Sequence, residues 1–115
     1  MTAFIIFLIV IAFLTWRMLP AKGIKIISVE ELKKIINDSN NLFIDVRTPA
    51  EYKGRHIPQF KNMPLGTDFS KLPKDREIFV ICQSGMRSTQ ACKQMKKLGY
   101  HNVTNVRGGM NAWRG

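Results

Sequence analysis

Glu77-Ile78-Phe79-Val80-Ile81-Cys82-Gln83-Ser84-Gly85-Met86-Arg87-Ser88 is the stretch that decides how this chain folds. Residues 77–81 are apolar after the first position and rich in β-branched and aromatic side chains, as a buried strand requires. Beyond the loop, Ala91, Met95 and Leu98 recur at helical spacing from about Ser88, and Gly99 supplies a C-terminal cap. Strand, tight loop and helix in that order make the repeating unit of an α/β domain. Ligands in such domains bind beyond the carboxyl ends of the strands, where a helix N-terminus offers unpaired N–H groups.

The rest of the chain repeats the unit. Residues 24–27 and 42–44 are short apolar strand candidates, and 103–106 form the last. Ser28 opens a capping box closed by Glu31, ahead of a helix over 29–37. Thr48-Pro49-Ala50-Glu51 is a second box, and Gly54 ends the helix that it starts. Residues 55–76 read as loop with a helical turn near 69–72, and Gly108-Gly109 turns into a short helix around 110–113. Strands alternating with helices predict a largely parallel sheet.

The loop itself carries the chemistry. Main-chain donors at a helix N-terminus stabilise a thiolate at Cys82 and lower its pKa. Gly85 can supply the positive φ of a tight curve. Arg87 adds a permanent charge and a two-pronged donor for an anion. A persulfide, Cys–S–S⁻, needs the same donors as the thiolate.

Four stretches, in order, make the chain resemble the single-domain rhodanese-like family. They are Asp45-Val46-Arg47, then Glu51-Tyr52 with His56-Ile57-Pro58, then Cys82-x-x-Gly85-x-Arg87-Ser88, and finally Gly108-Gly109-Met110-Asn111-Ala112-Trp113. The resemblance spans about residues 24–115. It implies a three-layer α/β sandwich around a mostly parallel five-stranded sheet, and a sulfurtransferase or sulfane-sulfur carrier. Cys82 would be the nucleophile and carry a persulfide. Gln83, Ser84, Gly85, Met86 and Arg87 would bind the donor anion, with Asp45, Arg47 and Ser88 in support. A small anionic donor such as thiosulfate and a thiol or protein acceptor would be the partners. The sequence departs from the family's Gly-His-Ile-Pro-Gly-Ala at Arg55, Gln59 and Phe60, which alters the surface near the pocket. Gln83 and Met86 leave the loop less basic than in some thiosulfate-using members.

Cysteine phosphatases and arsenate reductases place one residue more between Cys and Arg than the four that separate Cys82 from Arg87, so the ring here is too tight for a tetrahedral phosphate. A non-catalytic docking or redox-sensing module is the alternative function. Redox sensing would use Cys92 as resolving thiol, but within the helix it reads as a small core hydrophobe.

The chain has 115 residues with 18 Lys+Arg against 8 Asp+Glu, a formal net charge of +10. The surplus favours anionic partners, but the basic residues are scattered and no nucleic-acid interface is expected. Two cysteines are too few for a disulfide scaffold, and neither they nor His56 and His101 have metal-ligand spacing. No metal or cofactor is expected. Residues 3–14 have no polar side chain, and Trp16 and Arg17 suit a membrane interface. Residues 1–19 are therefore expected to be a transmembrane anchor, 20–23 a linker, and 24–115 the domain. Arg17, Lys22 and Lys25 beyond the anchor predict a single-pass membrane protein with its domain in the cytoplasm.

Overall fold

The computed structural model describes residues 2–18 and 24–114, with the side chains of 16–18 excepted. The first element is helix α1 (Thr2–Met18), whose large side chains, such as Phe4 and Ile9, are exposed. At 17 residues it is about 26 Å long, short of the ~30 Å hydrocarbon core of a bilayer. No helix among the described residues is long and apolar enough to cross a membrane. The expected anchor over 1–19, the single-pass cytoplasm-facing placement and the membrane as partner are corrected accordingly. The side chains of Trp16 and Arg17 and the linker over 20–23 lie outside the described residues.

From β1 (Lys25–Ile27) the chain enters α2 (Val29–Ile35), β2 (Leu42–Asp45), α3 (Pro49–Gly54) and β3 (Lys61–Asn62). A single 3-10 turn (Phe69–Lys71) follows, then β4 (Ile78–Ile81), α4 (Met86–Lys97), β5 (Val103–Val106) and α5 (Gly109–Ala112). Both predicted capping boxes form: Ser28 and Thr48 each accept the N–H of a glutamate three residues on, and that glutamate's carboxylate accepts the cap's own N–H. Each cap stabilises its helix by about 1 kcal/mol.

The five strands form one sheet in the order β1-β5-β4-β2-β3, and every pairing is parallel. The sheet expected to be mostly parallel is thus parallel throughout. Side chains alternate across it. Ile78, Val80 and Cys82 join Ala91, Cys92 and Met95 of α4 in one core. Phe79 and Ile81 join Val29 and Leu32 of α2 and Met110 of α5 in the other. Helices on both faces complete the three layers.

Strand order fixes where a site can lie. The chain leaves β2 toward β3 on one side and β4 toward β5 on the other. The loops after β2 and β4 therefore diverge and leave a crevice between their carboxyl ends. Asp45 ends β2, with Val46 and Arg47 just beyond it, and Cys82 follows the last residue of β4.

The sequence reading is corrected at several points. β3 lies inside the stretch read as loop; it is a two-residue edge strand without apolar alternation, held by the Asp45 and Val46 carbonyls, which accept the Met63 and Leu65 N–H groups. Helix α2 stops at Ile35, with Ile36 as its cap. Helix α4 starts two residues before Ser88, because Gly85 caps it in the left-handed conformation without any side-chain bond. Leu98, expected to be buried, is 40% exposed: the helix ends there, and Tyr100 turns back into the core in its place.

Candidate active site

Cys82 directly follows β4 and is fully covered by its surroundings. Its Sγ accepts the main-chain N–H of Gly85 at 3.0 Å and lies 3.3 Å from Ser88 Oγ. The geometry depends on Gly85, whose φ of +111° lets the chain fold back over the sulfur before α4 begins. Burial raises the thiol's pKa. Hydrogen bonds from the Ser88 side chain and from the main chain at Ser88, Gly85 and Ser84 outweigh that effect, and the net direction is downward. Cys92, on the inner face of α4, has no such donors. Burial and the nearby Cys82 push its thiol up to about 12, so it remains protonated near neutrality and is a poor resolving thiol.

Arg87 does not hold its guanidinium free for an anion. Nη1 and Nη2 donate to the two carboxylate oxygens of Glu51 at 2.6 and 2.9 Å. The pair ties the loop to α3. Arg87, followed by the Thr48 main chain, holds the Glu51 carboxyl down to about 2. Glu51 thus closes a capping box and anchors the loop at once, and only the first role was readable from sequence.

Asp45 and Arg47 meet at the end of β2, both buried. Arg47 donates to Asp45 from its main-chain N–H, Nε and Nη2, the last at 2.8 Å. Its Nη1 then reaches Gln83 Oε1 at 3.2 Å, which joins the buried pair to the loop after Cys82. Gln83 Nε2 donates in turn to Asn111 Oδ1 at 2.6 Å. Of the expected binding residues, Gln83 is therefore a brace, Ser84 and Gly85 contribute main chain at the sulfur, and Met86 points outward, 76% exposed.

Helix α5 backs the loop. The Met110 and Asn111 N–H groups donate to the Cys82 and Gln83 carbonyls at 2.8 and 3.0 Å. A Cβ on Gly109 would lie 2.2 Å from the Cys82 carbonyl oxygen, so only glycine permits this approach. Arg55, which departs from the family pattern, spans from α3 to α5 by donating to the Met110 and Trp113 carbonyls. A cleft of about 240 Å³ lies here, lined by Arg47, Glu51, Arg55, Gln83 and Met110 among others. A larger hollow of about 310 Å³ lies apart, near Asn37 and Gln59, whereas the smaller cleft adjoins the loop after Cys82 through Gln83.

Two further residues belong to the site by contact. Asn105 of β5 is buried beneath the loop, with Oδ1 2.5 Å from Ser88 Oγ. Thr89 Oγ1 donates to the Gly85 carbonyl at 2.7 Å. His56 lies apart, stacked on Tyr52 and bonded to the Tyr52 carbonyl.

Comparison with known proteins agrees with this geometry. The rhodanese-like domain profile matches residues 28–115. A sulfurtransferase of Allochromatium vinosum is 40% identical over 91 residues, covering 76% of this chain and 85% of that protein. The putative sulfurtransferase YtwF of Bacillus subtilis is 43% identical over 96 residues, 80% of this chain and 92% of that protein. The crystal structure of a rhodanese-like domain protein from Staphylococcus aureus superposes with a TM-score of 0.71 at 31% identity, covering 78% of this chain and 91% of that chain. A profile match across most of the sequence, two well-covered relatives and a shared fold show that the chain belongs to the rhodanese-like domain family.

Proposed function

We propose that this protein, a rhodanese-like sulfurtransferase or sulfur carrier, takes sulfane sulfur onto Cys82 as a persulfide and passes it to a thiophilic acceptor. The observation that carries the reading is the hydrogen bonding of Cys82 Sγ: a main-chain donor at 3.0 Å and a hydroxyl at 3.3 Å, at the first turn of α4. Main-chain donors fixed at a helix N-terminus favour negative charge without reorganising, which suits thiolate, donor anion and persulfide alike.

With thiosulfate as donor, the Cys82 thiolate attacks the outer sulfur and the S–S bond of thiosulfate breaks. Sulfite leaves with the electron pair, and Cys82–S–S⁻ remains. In the second half, an acceptor thiolate attacks the outer sulfur of Cys82–S–SH. A new S–S bond forms on the acceptor, and Cys82 leaves as thiolate with the charge that the acceptor brought. No net oxidation occurs, and the thiol itself is the carrier. Because Glu51 occupies both prongs of Arg87, the anion is bound by the main chain of residues 83–87, and Arg87 holds that main chain in place.

Initial rates with thiosulfate and cyanide test the reading. Two separate half-reactions give parallel double-reciprocal lines, and Cys82→Ser abolishes turnover. Sulfur transfer retained in Cys82→Ser would refute the reading.

A further inference from the structure

Ser88 has one hydroxyl proton and three groups in reach of it: Cys82 Sγ at 3.3 Å, the Gly85 carbonyl at 3.0 Å and Asn105 Oδ1 at 2.5 Å. The Gly85 carbonyl already accepts from the Thr89 N–H at 3.2 Å and the Thr89 hydroxyl at 2.7 Å. The proton is therefore divided between Asn105 and the sulfur. Asn105 Nδ2 donates to Thr89 Oγ1 at 3.0 Å. All donors in this arrangement point one way: Cys82 S–H to Ser88, Ser88 to Asn105 Oδ1, Asn105 Nδ2 to Thr89, Thr89 to Gly85. Such a chain serves the protonated thiol, and its members reinforce one another.

A sulfur carrying negative charge needs the opposite arrangement, with the Ser88 proton pointing at Sγ. Turning the Asn105 amide over supplies it. Nδ2 then donates to Ser88 Oγ, the Ser88 O–H donates to the sulfur, and Oδ1 accepts from the Thr89 hydroxyl. Only an amide has a donor and an acceptor of matching shape to serve both arrangements in place. Ser88 and Asn105 are both buried, so no bulk water replaces either partner.

We propose that Asn105 is a positioning residue whose side-chain amide turns over as Cys82 loses its proton, handing the Ser88 hydroxyl from Asn105 to the sulfur. This rests on Cys82 being the nucleophile of the proposed cycle. Asn105 touches neither substrate nor the reacting sulfur and acts through Ser88.

The test is the pH profile of Cys82 alkylation by iodoacetamide in the full chain. Asn105→Asp keeps the shape, but its ionised carboxylate only accepts, so it retains the Ser88 proton. Alkylation near neutral pH should fall by about tenfold, which corresponds to a midpoint raised by about one unit. An added charge alone would raise the midpoint as well, so the substitution is repeated in Ser88→Ala. If Asn105 acts through Ser88, most of the effect disappears in that background. An effect of equal size in both backgrounds, or an unchanged midpoint, would overturn the proposal.

A second measurement needs no substitution at Asn105. Its side-chain amide NMR resonance should titrate with the midpoint of Cys82 alkylation and stay constant in Cys82→Ser. A resonance constant through the wild-type titration would equally overturn the proposal. Neither readout involves sulfur transfer, so failure of the carrier reading and failure of this one are separable.

Discussion

At Cys82 two physical effects oppose each other. The sulfur is buried, which disfavours charge, yet donors from Ser88, Gly85 and Ser84 surround it, and they prevail. The sign follows for reactivity: thiolate grows as pH rises, with a midpoint below the ordinary thiol value. Alkylation of Cys82 should therefore approach its plateau at lower pH than that of a free thiol of ordinary acidity, as iodoacetamide rates across pH will show. Cys92 should remain unmodified over the same range, so mass spectrometry should find one label on the native chain and two after denaturation. The candidate nucleophile was legible because Cys82, Gly85 and Arg87 stand close together in sequence between a strand and a helix. The use made of Arg87 was not, because its partner Glu51 comes from a different element, 36 residues away. Asn105 was illegible for the same reason: an asparagine within a short strand gives no sign that a loop will close over it.

The elements were legible where local chemistry declares itself. Both capping boxes, the strand before Cys82 and the glycine after α4 all formed as expected. Boundaries set by tertiary contact were not legible, as at β3, whose two residues pair with Ile44 and Asp45 through register alone. Two predictions concern how elements are tied together. Glu51→Gln preserves the capping box but removes the charge that holds Arg87. With both side chains about one-third exposed, the cost should be about 0.5–1 kcal/mol. The Glu51 carboxyl is held at about 2, below its ordinary 4.5, so the pair's contribution is complete above the ordinary value and lost as pH falls toward 2. Melting temperatures of the wild type and Glu51→Gln should thus differ near neutrality and converge over that acid range. Asp45→Asn is a different case, because it leaves Arg47 buried without its carboxylate. It should cost about 3–5 kcal/mol, lowering the melting temperature by more than about 12 °C in thermal denaturation followed by circular dichroism.

Across the whole molecule, the parallel sheet explains how a small domain brings Cys82 and its braces together. Strand order opens a crevice between β2 and β4, and each strand delivers one part of the site to it: the Asp45–Arg47 brace from one, Cys82 from the other. The alternation of strands and helices made this α/β plan readable from sequence. The N-terminal segment was misread because composition alone resembles a span, whereas among the described residues its helix, Thr2–Met18, is too short for one. Cys92 belongs to the scaffold, and Cys92→Ala should retain sulfur uptake while costing about 1 kcal/mol in chemical denaturation. The central claim is that sulfur resides covalently on Cys82, and the most direct measurement is the intact mass of the full chain before and after thiosulfate. The account predicts a gain of one sulfur atom, reversed by dithiothreitol and absent in Cys82→Ser. No gain with thiosulfate or any small persulfide, or a gain that persists in Cys82→Ser, would contradict it.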